Sequence, residues 1–167
     1  MAQSATAPAS GLQFIVEQVG ETYGIEQAIL RAEQQMADRT HDADFRAHLE
    51  RFIAEDHQHI ENLRQVLRMM IGTEANAQGS IDRGQRFADA ILGASQDTIY
   101  HFVQGLLLIV FQTTVYGRIF MQIQQCVENR EIIGLLETNH HEDEAHYAYL
   151  ESQVIRAAEE LSGLIKR

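Results

Sequence analysis

The segment Glu55-Asp56-His57-Gln58-His59 recurs as Glu142-Asp143-Glu144-Ala145-His146, so that E-D-x-x-H appears twice at a shift of 87 residues. The same shift pairs Phe45 with Ile132, Leu49 with Leu136, Leu63 with Leu150 and Leu67 with Val154, which sets the polar match in a matching apolar frame. An acid and an imidazole three residues apart share a face on a helix. A chain that repeats such a turn in each half is constrained to paired helices.

The apolar periodicity supplies those helices. Leu12, Ile15, Val16, Val19, Tyr23, Ile29, Leu30 and Met36 recur at steps of three and four, which predicts a first helix ending near Asp38. Ser10 and Gln13 have capping-box spacing at its start, and residues 1–10 read as a disordered tail. A short polar connection leads to a second helix carrying Phe45, Leu49, Phe52, Ile60, Leu63, Leu67 and Met70, closed by Gly72. Residues 72–95, with Gly72, Gly79, Gly84 and Gly93 among polar residues, predict a long crossover containing one short helix near Phe87–Leu92. Ser95 and Asp97 announce a third helix running to Glu128, and Asn129 a fourth bearing Ile132, Leu136, Tyr147, Leu150, Val154 and Leu161. The expected domain, residues 11–165, is therefore a hairpin, a crossover and a second hairpin.

Composition narrows the class. A chain of 167 residues suits one domain, and a single proline with no tryptophan leaves too few turn residues for an all-β fold. A formal charge of −11 opposes nucleic-acid and anionic-membrane partners. Cys126 is the only cysteine and no basic, apolar leader opens the chain, which predicts a reducing cytoplasm. In the third helix, Leu106 to Phe111 are apolar nearly all round, but Gln112, Thr113, Thr114 and Arg118 interrupt them well short of the roughly 20 residues of a membrane span. That helix is expected to be buried on several sides, with one side in the interface of a homodimer or higher oligomer.

The repeated turns carry the chemistry. Asp56 falls on the apolar line of the second helix, whereas Glu55 shares its face with the polar His48, Arg51, Gln58 and Asn62 and reads as solvated. Asp143 and His146 lie on the inward side of the fourth helix with Leu136, Asn139, Tyr147 and Leu150. Buried carboxylates are costly without a positive partner. No Lys or Arg occupies these inward lines, so a metal cation is the economical partner, and carboxylate oxygens with imidazole nitrogens suit iron, manganese or zinc. Glu26 is the inward acid of the first helix at the same depth. The 87-residue shift lands Glu26 on Thr113, and the middle of the third helix holds no acid; Gln112 is the expected neutral ligand there.

Two such motifs on hairpins joined by a long crossover resemble the ferritin-like, rubrerythrin-like family over residues 11–162. The resemblance implies an antiparallel four-helix bundle with two metals in its core, and it matches Glu26, Asp56, His59, Asp143 and His146 to family ligands. Asp stands for Glu in both motifs, the third helix lacks its Glu, and no Cys-x-x-Cys segment follows, so an external electron donor is expected. The implied function is redox chemistry with dioxygen or peroxide, or iron handling, at one or two ions per chain. The alternative is a non-catalytic helical dimer with a degenerate or single-metal site. His140 and His141, preceded by Glu137, read as surface or supporting residues, and Tyr23, Tyr116 and Tyr147 as packing with satisfied hydroxyls.

Overall fold

A computed structural model describes residues 7–95, 98–124 and 127–163. Among them the chain is all-helical, with α1 (Ala7–Arg39), α2 (Ala43–Ile71), a 3-10 turn at Glu74–Ala77, α3 (Gln78–Ala94), α4 (Ile99–Ile123) and α5 (Arg130–Ser162), and it has no strand. The first helix begins at Ala7, so Ser10 lies inside it instead of capping it, and Pro8 falls in the first turn, where its missing N–H is not needed. Asp42 caps α2 by accepting from the backbone N–H of Asp44 and Phe45, both at 3.0 Å. Gly72 closes α2 at φ 81°, where a Cβ would be strained. Asn129 caps α5 as predicted, whereas Thr98 caps α4; Ser95 instead donates to the carbonyl of Ile91 at the end of α3. Asp97 and Cys126 lie outside the described residues.

The predicted crossover is a helix of 17 residues. Glu21 pairs with Arg83, Gln27 with Gln85 and Arg31 with Asp89, so α3 runs parallel to α1. This explains its presence: α2 ends beside the start of α1, α4 starts near the end of α1, and a rise of about 1.5 Å per residue lets α3 carry the chain between them. Gly24 and Gly84 let the backbones approach, since a Cβ on Gly24 would overlap the carbonyl oxygen of Ile81 and one on Gly84 that of Glu21. Of the glycines that read as loop punctuation, Gly84 is a contact point of a packed helix, whereas Gly79 and Gly93 face open space.

The four long helices close a ring in which α1 packs on α2 and α4, and α5 on α2 and α4. Two apolar clusters fill it. One contains Ile29, Met36, Leu49, Phe102, Leu106 and Leu150; the other contains Val19, Leu63, Val66, Phe120, Ile132 and Leu136. Between their contributions α2 presents Asp56 and His59, α5 presents Asn139, Asp143 and His146, and α4 presents Thr113, all at the junction. The stretch Tyr100–Gln122 of α4 is long and apolar enough to cross a membrane, with mean hydropathy 1.3, so length alone does not exclude a span. Half of its most apolar stretch is buried in the fold, which fits the core helix of a soluble protein.

Candidate metal centre

Glu26, Asp56, His59 and His146 are each 0% exposed and Asp143 is 3% exposed, so five of the six predicted residues point inward. His59 Nδ1 lies 3.7 Å from Glu26 Oε2, 3.7 Å from Asp56 Oδ1 and 3.6 Å from Asp143 Oδ1. His146 Nδ1 lies 3.7 Å from the same Asp56 oxygen, and the two imidazole centroids are 6.1 Å apart. The ligand atoms of Glu26, His59 and Asp143 all lie within 4.8 Å of one another, a grouping that can hold a metal ion.

The outer face of each ring is fixed by the opposite motif. His59 Nε2–H donates to Glu142 Oε2 at 2.7 Å, and His146 Nε2–H donates to Glu55 Oε2 at 2.8 Å. With Nε2 held by these carboxylates, Nδ1 of each ring faces the buried acids, the orientation that a carboxylate beyond the imidazole imposes on metal-binding histidines. Glu55 is therefore not simply solvated. Asn62, expected on the same polar flank, is also buried and donates to Asn139 Oδ1 at 2.7 Å.

Gln112 does not join this group. It is half-buried on the side of α4 facing α1 and α3, where it lines a hollow of about 220 Å³ with Glu21, Arg83 and Tyr116. Thr113, one residue and 100° further round, is buried and lies beside Asp143. The 87-residue shift pairs Glu26 with Thr113, so the repeat itself marks the α4 position that faces the acids. Sequence reasoning also passed over Glu33, which is fully buried beside Asp56. Its signal was its place two turns beyond Glu26 on the line through Ile29 and Met36.

The electrostatics are those of an interior that no Lys or Arg enters. Both oxygens of Glu26, Glu33 and Asp56, and Nδ1 of both histidines, have no hydrogen-bond partner of good geometry. Burial raises the carboxyl pKa of Asp56 and of Asp143 well above the usual range, and neighbouring acids add to the rise. Burial likewise raises Glu33 to about 8; the neighbouring Asp56 pulls it down, and Glu26 pushes it up. His59 is lowered by burial but raised more by Glu26, Asp143 and Glu142, reaching about 10. His146 is pushed down to about 3 by burial, then by His59 and Arg51, despite its bond to Glu55. Two rings in mirrored settings thus part ways: burial dominates at His146 and the protonated His59 adds to it, whereas at His59 three acids outweigh burial. Arg51 pairs with Glu55, at 3.5 Å on the rim, and leaves the inner acids unpaired.

The remaining candidates fall outside the cluster. His140 is buried against Gly117 rather than at the surface, whereas His141 is exposed and contacts the Glu137 carbonyl. Tyr23 accepts from Arg64, Tyr116 donates to Glu21 and Tyr147 donates to Glu151, so each hydroxyl has a partner outside the cluster.

Fold and site together define an all-helical protein with a buried carboxylate–imidazole group able to hold a metal. Residues 13–161 match the family described as a domain of unknown function, DUF892, and the chain belongs to that family. No curated protein and no solved structure matches it.

Proposed function

We propose that this protein is a ferritin-like, rubrerythrin-like four-helix bundle, with α3 as its crossover, whose interior binds iron or manganese for redox chemistry with dioxygen or peroxide. The observation that carries this reading is the pair of unpartnered Nδ1 atoms, each turned by a carboxylate on the far ring nitrogen toward buried acids that no Lys or Arg reaches. The donors fit such an ion: carboxylate oxygen with imidazole nitrogen, from α1, α2 and α5. Glu26, Asp56, His59, Asp143 and His146 would hold it.

When bound, iron or manganese supplies one-electron exchange with an oxidant. The chain's own groups do the rest. Glu55 and Glu142 orient the rings and keep the Nε2 protons in place. Thr113, in place of an acid, leaves the α4 side without a charged ligand. The two apolar clusters restrict water on either side of the polar layer. Electrons come from an external donor, and we place the protein in the cytoplasm.

The test is metal analysis of protein purified without a histidine tag. One or two equivalents of iron or manganese per chain are expected, and the double variant His59→Ala, His146→Ala should lose nearly all of them. Metal that is substoichiometric and dialyses away would favour the rival reading, a helical interaction protein that performs no redox chemistry. Full metal content in the double variant would exclude the ligand set.

We also assign a homodimer to α4, where Leu108 and Phe111 are 57% and 43% exposed and Tyr147 packs on Phe111 from α5. Light scattering at micromolar concentration should give a dimer for the wild type and a monomer for Leu108→Glu, Phe111→Glu. A monomeric wild type would rule this out.

A further inference from the structure

The acid that a second ion needs is absent from α4, yet the interior holds four carboxylates, because α1 contributes two. Glu26 and Glu33 are seven residues apart, two turns on one helix face, and both are 0% exposed with both oxygens unpartnered. We infer that Glu33 supplies the carboxylate missing from α4 and completes a second cation site with Asp56 and His146, separate from the site of Glu26, His59 and Asp143. This rests on the cluster being a metal centre.

The two sites follow the repeat. His59 comes from the first motif and Asp143 from the second; His146 comes from the second motif and Asp56 from the first. Each site thus takes its imidazole from one hairpin and its aspartate from the other, and each adds one glutamate of α1. Asp56 Oδ1, at 3.7 Å from both Nδ1 atoms, lies where the sites meet. Glu33 is buried beside Asp56, with neither of its oxygens reached by a Lys or Arg.

Charge favours two ions over one. Four buried carboxylates carry four negative charges when ionised, which two divalent cations neutralise and one does not, and uncompensated buried charge is strongly unfavourable. The sites are unequal. Only the first has all its ligand atoms within 4.8 Å of one another, so it fills first, and the second requires Glu33 and His146 to converge on Asp56.

Manganese(II) is the probe, titrated into the chelator-treated full chain and followed by calorimetry and electron paramagnetic resonance. The wild type should bind two ions in unequal steps, with spin coupling appearing only in the second. Glu33→Gln keeps the shape and removes the charge, so it should fold, bind the first ion within about threefold of wild-type affinity and lose the second step. Glu33→Asp, one methylene shorter, should retain the first step and weaken the second at least tenfold. Two unchanged steps in either variant, or a wild type that binds one ion only, overturns the role of Glu33 and leaves the metal centre standing. A wild type that binds no manganese and carries no iron overturns the centre itself and this inference with it.

Discussion

Stripped of metal, the protein should lose stability as pH rises from 6.5 to 8, while the metal-loaded protein gains it over the same range. Glu33 ionises near its ordinary value of 4.5 in the unfolded chain but only at about 8 in the fold, so the native state holds an extra proton between those limits. His59, with an ordinary value of 6.5 and about 10 in the fold, likewise holds its proton natively after the unfolded chain has released it. Its stabilisation is fully present below 6.5 and drains away as pH rises toward 10. Asp56 and Asp143, both raised, act in the same direction as Glu33. His146 opposes them, since its lowered value makes stability fall as pH drops below 6.5 toward 3, so the clean window begins above 6.5.

Each proton difference is worth roughly 1.4 kcal/mol per pH unit, and coupling between the groups reduces the sum, so a loss on the order of 3 kcal/mol is expected across this window. That corresponds to a fall in Tm of about 6–12 °C for a chain of this size. Metal binding reverses the sign because it needs the carboxylates ionised and His59 neutral, so affinity rises with pH. Saturation at a thousandfold excess over Kd adds about 4 kcal/mol. Melting curves at pH 6.5 and 8, with chelator and with manganese, should therefore diverge. Parallel pH dependences in the two states would mean that the ion binds somewhere other than among these acids.

Much of this site was legible from helical register. Asp56 and Asp143 lie on apolar lines, and the 87-residue shift tied them to His59 and His146, all four of which are buried together. What register cannot show is the flank of one helix that a neighbour covers. Glu55 and Asn62 sit beside the inward line of α2, and only the position of α5 turns that polar flank into a seam, with Glu55 on His146 and Asn62 on Asn139. Thr113 was overlooked because a threonine gives no sign of metal chemistry and Gln112 does, although the repeat pointed to Thr113. Glu33 shares the inward face of Glu26 two turns on, and a pattern of one acid per helix does not distinguish the two. The sequence of α3 reads as mostly irregular because glycine has two opposite uses: it breaks helices in isolation and brings them together in a packed fold.

Gly24→Ala and Gly84→Ala should each lower stability by about 2–3 kcal/mol, or roughly 5–10 °C in Tm. In an exposed helix the same change does the reverse, because alanine exceeds glycine in helix propensity by up to about 1 kcal/mol. Gly134 in α5 has open space around its Cα and is the internal control: Gly134→Ala should raise stability by roughly 0.5–1 kcal/mol. At Gly24 and Gly84 the added methyl meets backbone, the carbonyl of Ile81 in one case and of Glu21 in the other, and backbone within two helices cannot rotate aside as a side chain can. The only relief is to move α3 away from α1, which opens the seam that also holds Ala77, Ile81 and Ala88 in the core. Because either methyl forces that separation, the second finds room already made, and the double variant should cost clearly less than the two single changes together. Additive losses would mean that the two glycines relieve independent contacts, and a neutral Gly24→Ala would mean that α3 does not seat on α1 at all. The site supplies a second readout, since Gly24 is two residues from Glu26: a shift of α1 in Gly24→Ala should weaken the first manganese step, whereas Gly134→Ala leaves it unchanged.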